Sequence, residues 1–228
     1  MPTISAIVCV GREIRWLEEA LASIRSQSRP VDETLLVVSD DTPAALGECV
    51  RAFAIDRIQK QDRPGLAAAR NLGVDRASGD LVTFLDTDDR WLQDKTALQE
   101  RQIQAGAPGV VGQLLRFADS SCDASDYPAG FFGRKHPAMT PGGLMIPRAA
   151  FARVGAFDER YRLACDHEWF IRARRTGLGL QVIGEVVLEK RIHPGSLSRA
   201  TAAYRRELTE VLRRTPRGAE FPVGRKRD

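Results

Sequence analysis

Short apolar runs alternate with amphipathic stretches through the N-terminal half of the chain. The run from Ser5 to Val10 is followed by apolar positions at helical spacing between Glu13 and Gln27. The same order then repeats, with strand-like runs and helical stretches at residues 34–39, 44–53, 66–77 and 81–85. Repeated strand and helix units of this length predict a parallel sheet with helices on both faces.

The C-terminal half follows a less regular pattern. A helical stretch at 94–104 and a strand-like run at 109–117 precede residues 119–141, which are rich in Ser, Asp, Gly and Pro and predict a long loop. We interpret this loop as a lid or a substrate-facing segment, because long loops inside compact domains are usually functional. Periodic order returns in segments that predict strands and helices at 143–146, 148–154, 166–176 and 182–188. The whole pattern predicts one α/β domain with a mostly parallel, Rossmann-like central sheet flanked by helices.

Composition and length agree with a single domain. The chain has 228 residues, of which 43% are hydrophobic and 28% charged, so it can bury one substantial core. No apolar run approaches the roughly 20 residues that span a bilayer, and no signal peptide precedes the first strand, so we expect a cytoplasmic protein. Four scattered cysteines without a CxxC pair indicate neither a zinc site nor a disulfide framework.

The net charge of +4 comes from basic residues that concentrate toward the C-terminus. Residues 200–228 predict a basic helical tail with a short apolar face formed by Leu208, Val211 and Leu212. Few aromatic residues lie among these arginines, which argues against a nucleic-acid partner. Peripheral contact with an anionic membrane and a solvated surface helix both remain open.

A cluster of acids follows the strand predicted at 81–85. Asp86, Asp88 and Asp89 fall within four residues, and strand alternation places the first two on one side. Like charges this close repel one another, so a hard cation such as Mg²⁺ or Mn²⁺ would stabilise them. The alternative is an acidic turn that caps a helix beginning near Trp91.

A second pair of acids, Asp40 and Asp41, follows the strand at 34–39. Parallel strands end at the same edge of a sheet, where nucleotides bind in open α/β folds, so both acidic turns are expected at one site. Carboxylates there can accept hydrogen bonds from a base or from ribose hydroxyls. A simple Asx turn remains the alternative for this pair.

Four sequence blocks together resemble the family 2 glycosyltransferases of the GT-A fold. They are Gly65 to Gly73, Ala77 to Asp80, Phe84 to Asp89, and Val154 to Glu159 with its Gly-x-Phe-Asp-Glu turn. The resemblance runs from about Ile4 to Ser198. It implies a single GT-A domain at 1–199, with a nucleotide-sugar-binding half at 1–105 and an acceptor-binding half at 106–199, followed by the basic tail.

The resemblance also implies an activity. A family member would transfer a sugar, with inversion, from a nucleotide-diphosphate sugar to a saccharide, lipid-linked or other acceptor, with Mn²⁺ or Mg²⁺ as cofactor. We expect such a protein in bacterial polysaccharide or glycoconjugate biosynthesis. Uridine is the family's default nucleotide, with guanosine and thymidine as alternatives.

Donor-binding roles carry over from the resemblance residue by residue. Asp86 would contact the ribose or the metal, Asp88 would bind the metal, and Asp40 or Asp41 would read the base. Arg70 would lie near the base or diphosphate, and its forked donors suit phosphate oxygens. The usual Pro and aromatic residue are missing after the first strand, so backbone contacts from Val8 to Val10 would substitute.

The catalytic base implied by the resemblance is Asp166. It matches the acid of the family's Glu-Asp block, although Cys165 replaces the first acid of that block. Glu168 is the rival base, and a plain helix cap is the alternative role for Asp166. His193, in an Arg-x-His segment, would be either a metal ligand or a structural residue.

Two further functions stay open from the sequence. A sugar nucleotidyltransferase would also use a Rossmann-like sheet and acids, but it would want a glycine-rich phosphate loop near Gly11 that is absent here. A non-catalytic relative that binds nucleotide sugars is favoured by the loss of an acid at Cys165 and opposed by Asp86, Asp88 and Asp166.

Overall fold

The computed structural model describes residues 1–195 and 201–214. Its strands are β1 (Ile4–Val10), β2 (Glu33–Val38), β3 (Arg57–Lys60), β4 (Leu81–Asp86), β5 (Arg90–Trp91), β6 (Val110–Ala118), β7 (His136–Pro137), β8 (Leu144–Pro147) and β9 (Gln181–Ile192). Its helices are α1 (Leu17–Arg25), α2 (Leu46–Phe53), α3 (Leu66–Arg76), α4 (Lys95–Gln104), α5 (Arg148–Val154), α6 (Cys165–Arg175) and α7 (Thr201–Arg214). Ser196, Ser198 and the part of the predicted tail at 215–228 lie outside the described residues.

One mixed sheet runs through the domain in the order β3, β2, β1, β4, β8, β6, β9, β5, with β7 paired to β6. The first four of these strands are mutually parallel. Beyond β4 the direction changes, because β8 pairs antiparallel with both β4 and β6, while β9 runs parallel to β6. The parallel part therefore brings the carboxyl ends of β1, β2 and β4 to one edge.

Close packing of α3 on β1 sets the position of the residues that α3 carries. A Cβ atom at Gly73 would come within 2.4 Å of the Ile7 side chain, so only glycine permits this approach. A second close approach occurs at Gly79, where a Cβ would lie 2.7 Å from the backbone nitrogen of Ser5. The first contact holds α3 against β1, and the second holds the segment between α3 and β4 against the start of β1.

The predicted elements are found with shifted boundaries. The helix predicted at 94–104 is α4 (Lys95–Gln104), so the alternative in which the acidic turn caps a helix beginning near Trp91 is wrong: Trp91 lies in β5, where it pairs with Leu188 of β9. The Trp91 amide also donates to the hydroxyl of Ser23, at 3.0 Å. These partners are distant in sequence and override the local helical pattern. Strand β3 was not predicted, because half of its four residues are charged.

The predicted long loop contains only a short 3-10 turn at Ala124–Asp126 and strand β7. Among residues 1–195 and 201–214, no helix is both long and apolar enough to cross a membrane. Helix α7 packs against α6, and its Val211 is buried.

Candidate functional site

Two adjoining clefts open at the edge where β1, β2 and β4 end. The first, of about 560 Å³, is lined by three of the residues predicted from the sequence, Val10, Asp40 and Asp41. The second, of about 510 Å³, is lined by the other five, Arg70, Asp86, Asp88, Asp166 and His193. Cys9, Gly11 and Leu66 belong to both clefts. All the predicted site residues thus come together at one edge of the sheet.

A buried arginine connects the two carboxylates that matter most to the prediction. Arg70 on α3 is 1% exposed, and its Nη2 donates to Asp86 Oδ1 at 2.8 Å. Its Nη1 donates to Asp166 Oδ1, on the first turn of α6. One guanidinium therefore fixes the end of β4 relative to the start of α6, as its rigid fork of donors allows.

The charge of Arg70 shapes the titration of its neighbours. Burial raises the pKa of Asp86, but the Arg70 guanidinium and the Lys190 ammonium outweigh it, and the pKa lies below its usual value. Burial raises the pKa of Cys9 and of Cys165 to about 12, so both remain thiols at neutral pH. The Cys165 thiol donates to Asp166 Oδ1 at 3.4 Å.

The acidic turn after β4 places oxygen atoms of Asp86, Asp88 and Asp89 within 4.8 Å of one another. Asp89 is turned inward: its Oδ1 accepts the backbone N–H of Arg191 at 2.9 Å, and its Oδ2 accepts Lys190 Nζ at 3.1 Å. Burial, together with the nearby Asp88 and Asp86, raises the pKa of Asp89 to about 7 against the opposing ammonium of Lys190. Asp89 is therefore a structural acid that ties the turn to β9.

Asp86 and Asp88 retain oxygen atoms that can hold a cation. In the described part of the chain, Asp86 Oδ2 and Asp88 Oδ1 accept no hydrogen bond, while Asp88 Oδ2 lies 3.0 Å from His193 Nε2. Two carboxylates and one imidazole suit Mn²⁺ well, because carboxylates favour hard divalent ions and imidazole favours transition metals. The donor set fits a divalent cation of the predicted kind.

His193 is supported from behind by aromatic and charged groups. The His193 ring lies 4.4 Å from the ring of Trp16, and the Arg191 guanidinium stacks over the Trp16 ring at 5.1 Å. Arg191 also donates to the backbone oxygen of Asp88 at 3.0 Å and to Glu19 at 2.6 Å. The Arg-x-His segment is thus pinned to the acidic turn by side-chain and backbone contacts.

The acids of the first cleft are less constrained than those of the second. Asp40 is 85% exposed and pairs with Lys60 at 2.7 Å, and Asp41 accepts a hydrogen bond from the hydroxyl of Ser39. The carbonyl oxygen of Val10 accepts the Ser39 amide at 3.1 Å and the Thr42 hydroxyl at 2.9 Å. The first cleft therefore offers exposed carboxylates above a fixed backbone turn.

Glu168, the rival base, faces away from this centre. Arg172 clamps its two oxygens at 2.8 and 2.7 Å, and Glu168 lines a separate small cavity rather than either large cleft. The residues of the second cleft and its wall that the sequence did not indicate include Lys190, Tyr204 and Glu207. Lys190 lies beyond the predicted end of the last strand, and the other two lie in the predicted tail, where no motif marks them.

Comparison with known proteins shows similarity to glycosyltransferases. The family model for glycosyl transferase family 2 matches residues 5–159. An uncharacterized glycosyltransferase of Mycobacterium tuberculosis is 28% identical over 183 residues, covering 75% of this chain and 69% of the relative. The putative teichuronic acid biosynthesis glycosyltransferase TuaG of Bacillus subtilis is 30% identical over 107 residues, covering 45% of this chain and 41% of TuaG. The chain spans only 16% of the length of another curated relative.

Solved structures show the same architecture. S. aureus TarS 1–349 in complex with UDP-GlcNAc matches with a TM-score of 0.67 and 17% identity, covering 93% of this chain and 65% of that one. At this identity the likeness concerns the fold alone, and it confirms the GT-A architecture expected from the sequence.

Proposed function

The chain belongs to glycosyl transferase family 2, and from this we propose that it transfers a sugar, with inversion, from a nucleotide-diphosphate sugar to a saccharide, lipid-linked or other acceptor. One observation carries the proposal: Arg70 joins Asp86, at the acidic turn, to Asp166 on the facing helix. A donor-binding carboxylate and a candidate base are thereby held on opposite walls of one cleft. The relative TuaG is named for teichuronic acid biosynthesis, which supports a role in bacterial polysaccharide or glycoconjugate synthesis.

The first cleft is the proposed nucleotide site. Asp40 or Asp41 would accept a hydrogen bond from the base, and the backbone near Val10 would border it. A uridine nucleotide is the first choice, because the structurally similar TarS was solved with UDP-GlcNAc. The diphosphate would then extend past Cys9 and Gly11, which line both clefts.

Asp86, Asp88 and His193 would hold Mn²⁺ or Mg²⁺ in the second cleft. A bound divalent cation neutralises the charge of the diphosphate and so stabilises the departing nucleotide. Lys190, 3.1 Å from Asp89, adds a fixed positive charge beside these acids. Arg70 keeps the Asp86 carboxylate ionised and in place.

Asp166 is the proposed base. Its Oδ1 accepts hydrogen bonds from Arg70 and from the Cys165 thiol, while its Oδ2 accepts none from the described residues. An inverting transfer needs a carboxylate that can take the proton of the acceptor hydroxyl, and Oδ2 has the free lone pair for it. The position of Asp166 is set through one oxygen, and the reaction would use the other.

The division of labour along the chain follows from these roles. We propose residues 1–105 as the nucleotide-sugar-binding half and 106–199 as the acceptor-binding half.

The exposed Arg205, Arg206, Arg213 and Arg214 of α7 would also allow a cytoplasmic protein to touch an anionic membrane, where a lipid-linked acceptor resides. Replacing these four arginines by glutamine should abolish co-sedimentation with phosphatidylglycerol vesicles, and unchanged sedimentation would refute the contact.

The main experiment screens nucleotide sugars by thermal stabilisation with and without Mn²⁺, and then measures nucleotide release. Asp88→Asn should weaken Mn²⁺-dependent stabilisation, and Asp166→Asn should keep donor binding but lose at least 100-fold in turnover. Asp75→Asn is the matched control, since this exposed acid lies on α3 away from both clefts.

Other outcomes identify other functions. Release of pyrophosphate would indicate a sugar nucleotidyltransferase. Tight binding of the donor without turnover, across a panel of acceptors, would indicate a non-catalytic nucleotide-sugar-binding protein.

A further inference from the structure

Helix α7 is bound to the start of α6 by a carboxylate. Glu207 Oε2 accepts the backbone N–H of Leu163 at 2.7 Å and that of Ala164 at 2.9 Å. These contacts join residues more than 40 positions apart in the sequence. Behind them, Val211 is buried against the core and packs the helix in place.

The amides that Glu207 binds lie at the entrance to α6, where they need a partner. The first N–H groups of a helix have no acceptor within the helix, and a side chain at the N-cap usually supplies one. Here the N-cap residue is Ala164, which makes no side-chain cap. Glu207 accepts the N–H of the N-cap residue Ala164 and of Leu163 before it, so it holds the backbone that leads into α6, and its negative charge also favours the positive end of the helix.

A second contact lies on the other side of Asp166. The hydroxyl of Tyr204 lies 3.1 and 3.2 Å from the two ring nitrogens of His167, and both residues line the second cleft. Asp166 is thus flanked by two attachments to α7, at residues 163–164 and at 167. Among the described residues, its carboxylate is otherwise restrained by Arg70 of α3 and by the Cys165 thiol.

We propose that Glu207 is a positioning residue for Asp166: by holding the start of α6, it sets the distance between the base and the acceptor hydroxyl. This rests on the proposed function of Asp166. Base catalysis depends steeply on geometry, and a displacement of about 1 Å can cost about 100-fold in rate. The helix that ends the described chain then belongs to the catalytic unit.

The test compares Glu207→Ala with Glu207→Gln and with Glu210→Ala. Glutamine keeps a carbonyl oxygen that can accept both amides, so it should restore function. Glu210 is the matched control, because it is exposed, lies on the same helix and forms a surface ion pair with Arg214 at 2.8 Å. Hydrogen exchange of the peptide spanning 160–168 reports on the contact itself, independently of turnover.

For Glu207→Ala we expect exchange at 163–166 to rise at least tenfold and kcat for nucleotide release to fall between about 10-fold and 100-fold. The Kd for UDP should stay within twofold, because the donor-binding acids lie on other elements. Glu207→Gln should recover most of kcat, and Glu210→Ala should match the wild type. If Glu207 served folding alone, Glu207→Ala would instead lower the fraction of active protein, and UDP binding would fall together with turnover.

A double-mutant cycle ties the effect to Asp166. In an Asp166→Asn background, Glu207→Ala should change the residual turnover by less than twofold. An equal loss in both backgrounds, or unchanged exchange at 163–166, would overturn the proposal. Absence of wild-type turnover with every donor would refute the proposed function and the catalytic role of Glu207 with it, whereas the exchange result would still show whether Glu207 holds α6.

Discussion

The two walls of the second cleft are built in different ways. On the strand-end wall, formed by Asp86, Asp88 and the turn after β4, Asp86 ends the strand and Asp88 lies in the turn directly after it. On the helical wall, formed by Asp166, His167 and the α7 residues that contact them, position depends on side chains brought together from distant segments. A strand end is fixed by the sheet, whereas a helix start is fixed only as well as its partners hold it. Substitutions on the strand-end wall should therefore abolish function, whereas substitutions on the helical wall should reduce it gradually.

Arg70 is the point where the two walls meet, so removing it should have the largest effect. Arg70→Met would leave Asp86 and Asp166 without their shared partner in a buried site. Breaking a buried ion pair costs about 3–5 kcal/mol, because the remaining charge is buried and uncompensated. We expect a loss of this size in the free energy of unfolding, measured by urea denaturation, together with loss of turnover.

Arg63→Met is the matched control for stability. Arg63 also pairs with an acid far away in sequence, Glu159, and it does so through two bonds of 2.8 and 2.7 Å. Its side chain is 56% exposed, and exposed pairs contribute at most about 1 kcal/mol. If Arg63→Met and Arg70→Met lost the same free energy of unfolding, the buried pairs of Arg70 would contribute no more than an exposed pair. Arg70 would then not be the link between the walls.

The same contrast explains how far the sequence could be read. Strands β1, β2 and β4 follow from their apolar runs because they are buried, and α1 and α2 follow from apolar periodicity because each has one apolar face. The place of Trp91 in a strand could not be predicted, since its partners, Ser23 and Leu188, lie far away along the chain. Strand β3 escaped prediction because it is an exposed edge strand with little apolar pattern.

The site divides in the same way. Asp86 and Asp88 could be placed from the sequence because a strand end fixes them locally, and Asp166 came from the resemblance of its block to a family motif. Glu207 could not be placed, because nothing in its own segment indicates that it caps another helix. The inward role of Asp89 was equally hidden, since it depends on Lys190 and on the backbone of Arg191.

Lys95 offers a test of how the strand-end wall is tied to the rest of the sheet. This fully buried ammonium donates to Thr83 on β4 at 2.7 Å, to Gln99 at 2.6 Å and to the Leu144 carbonyl at 3.4 Å. Burial lowers its pKa well below the usual value. Between that lowered pKa and about 10.4, the unfolded chain binds more protons than the folded one, so this group makes stability rise with pH.

The expected result concerns the difference in unfolding free energy between wild type and Lys95→Met. That difference should shift in favour of the wild type between pH 8 and pH 10. The shift should be smaller than the loss of unfolding free energy in Arg70→Met, because the partners of Lys95 are uncharged. Lys60→Met should show no such shift over this range, because hydrogen bonding to Asp40 raises the pKa of exposed Lys60 and the resulting stability is lost only above about pH 10.4. A pH-independent difference for Lys95→Met would mean that the ammonium stays charged inside the fold.

The smallest effect is expected on the helical wall, at Tyr204→Phe. This change removes one neutral hydrogen bond to His167 and keeps the ring, so it should cost about 0.5–1.5 kcal/mol in unfolding free energy. Turnover should fall less than in Glu207→Ala, because the start of α6 would still be capped. A cycle with His167→Ala measures the coupling directly, and near-additive losses would show that the two side chains act independently. If Tyr204→Phe lost as much unfolding free energy as Arg70→Met, a single peripheral hydrogen bond would control the whole cleft. The helical wall would then behave like the strand-end wall, and the difference between the two walls would not hold.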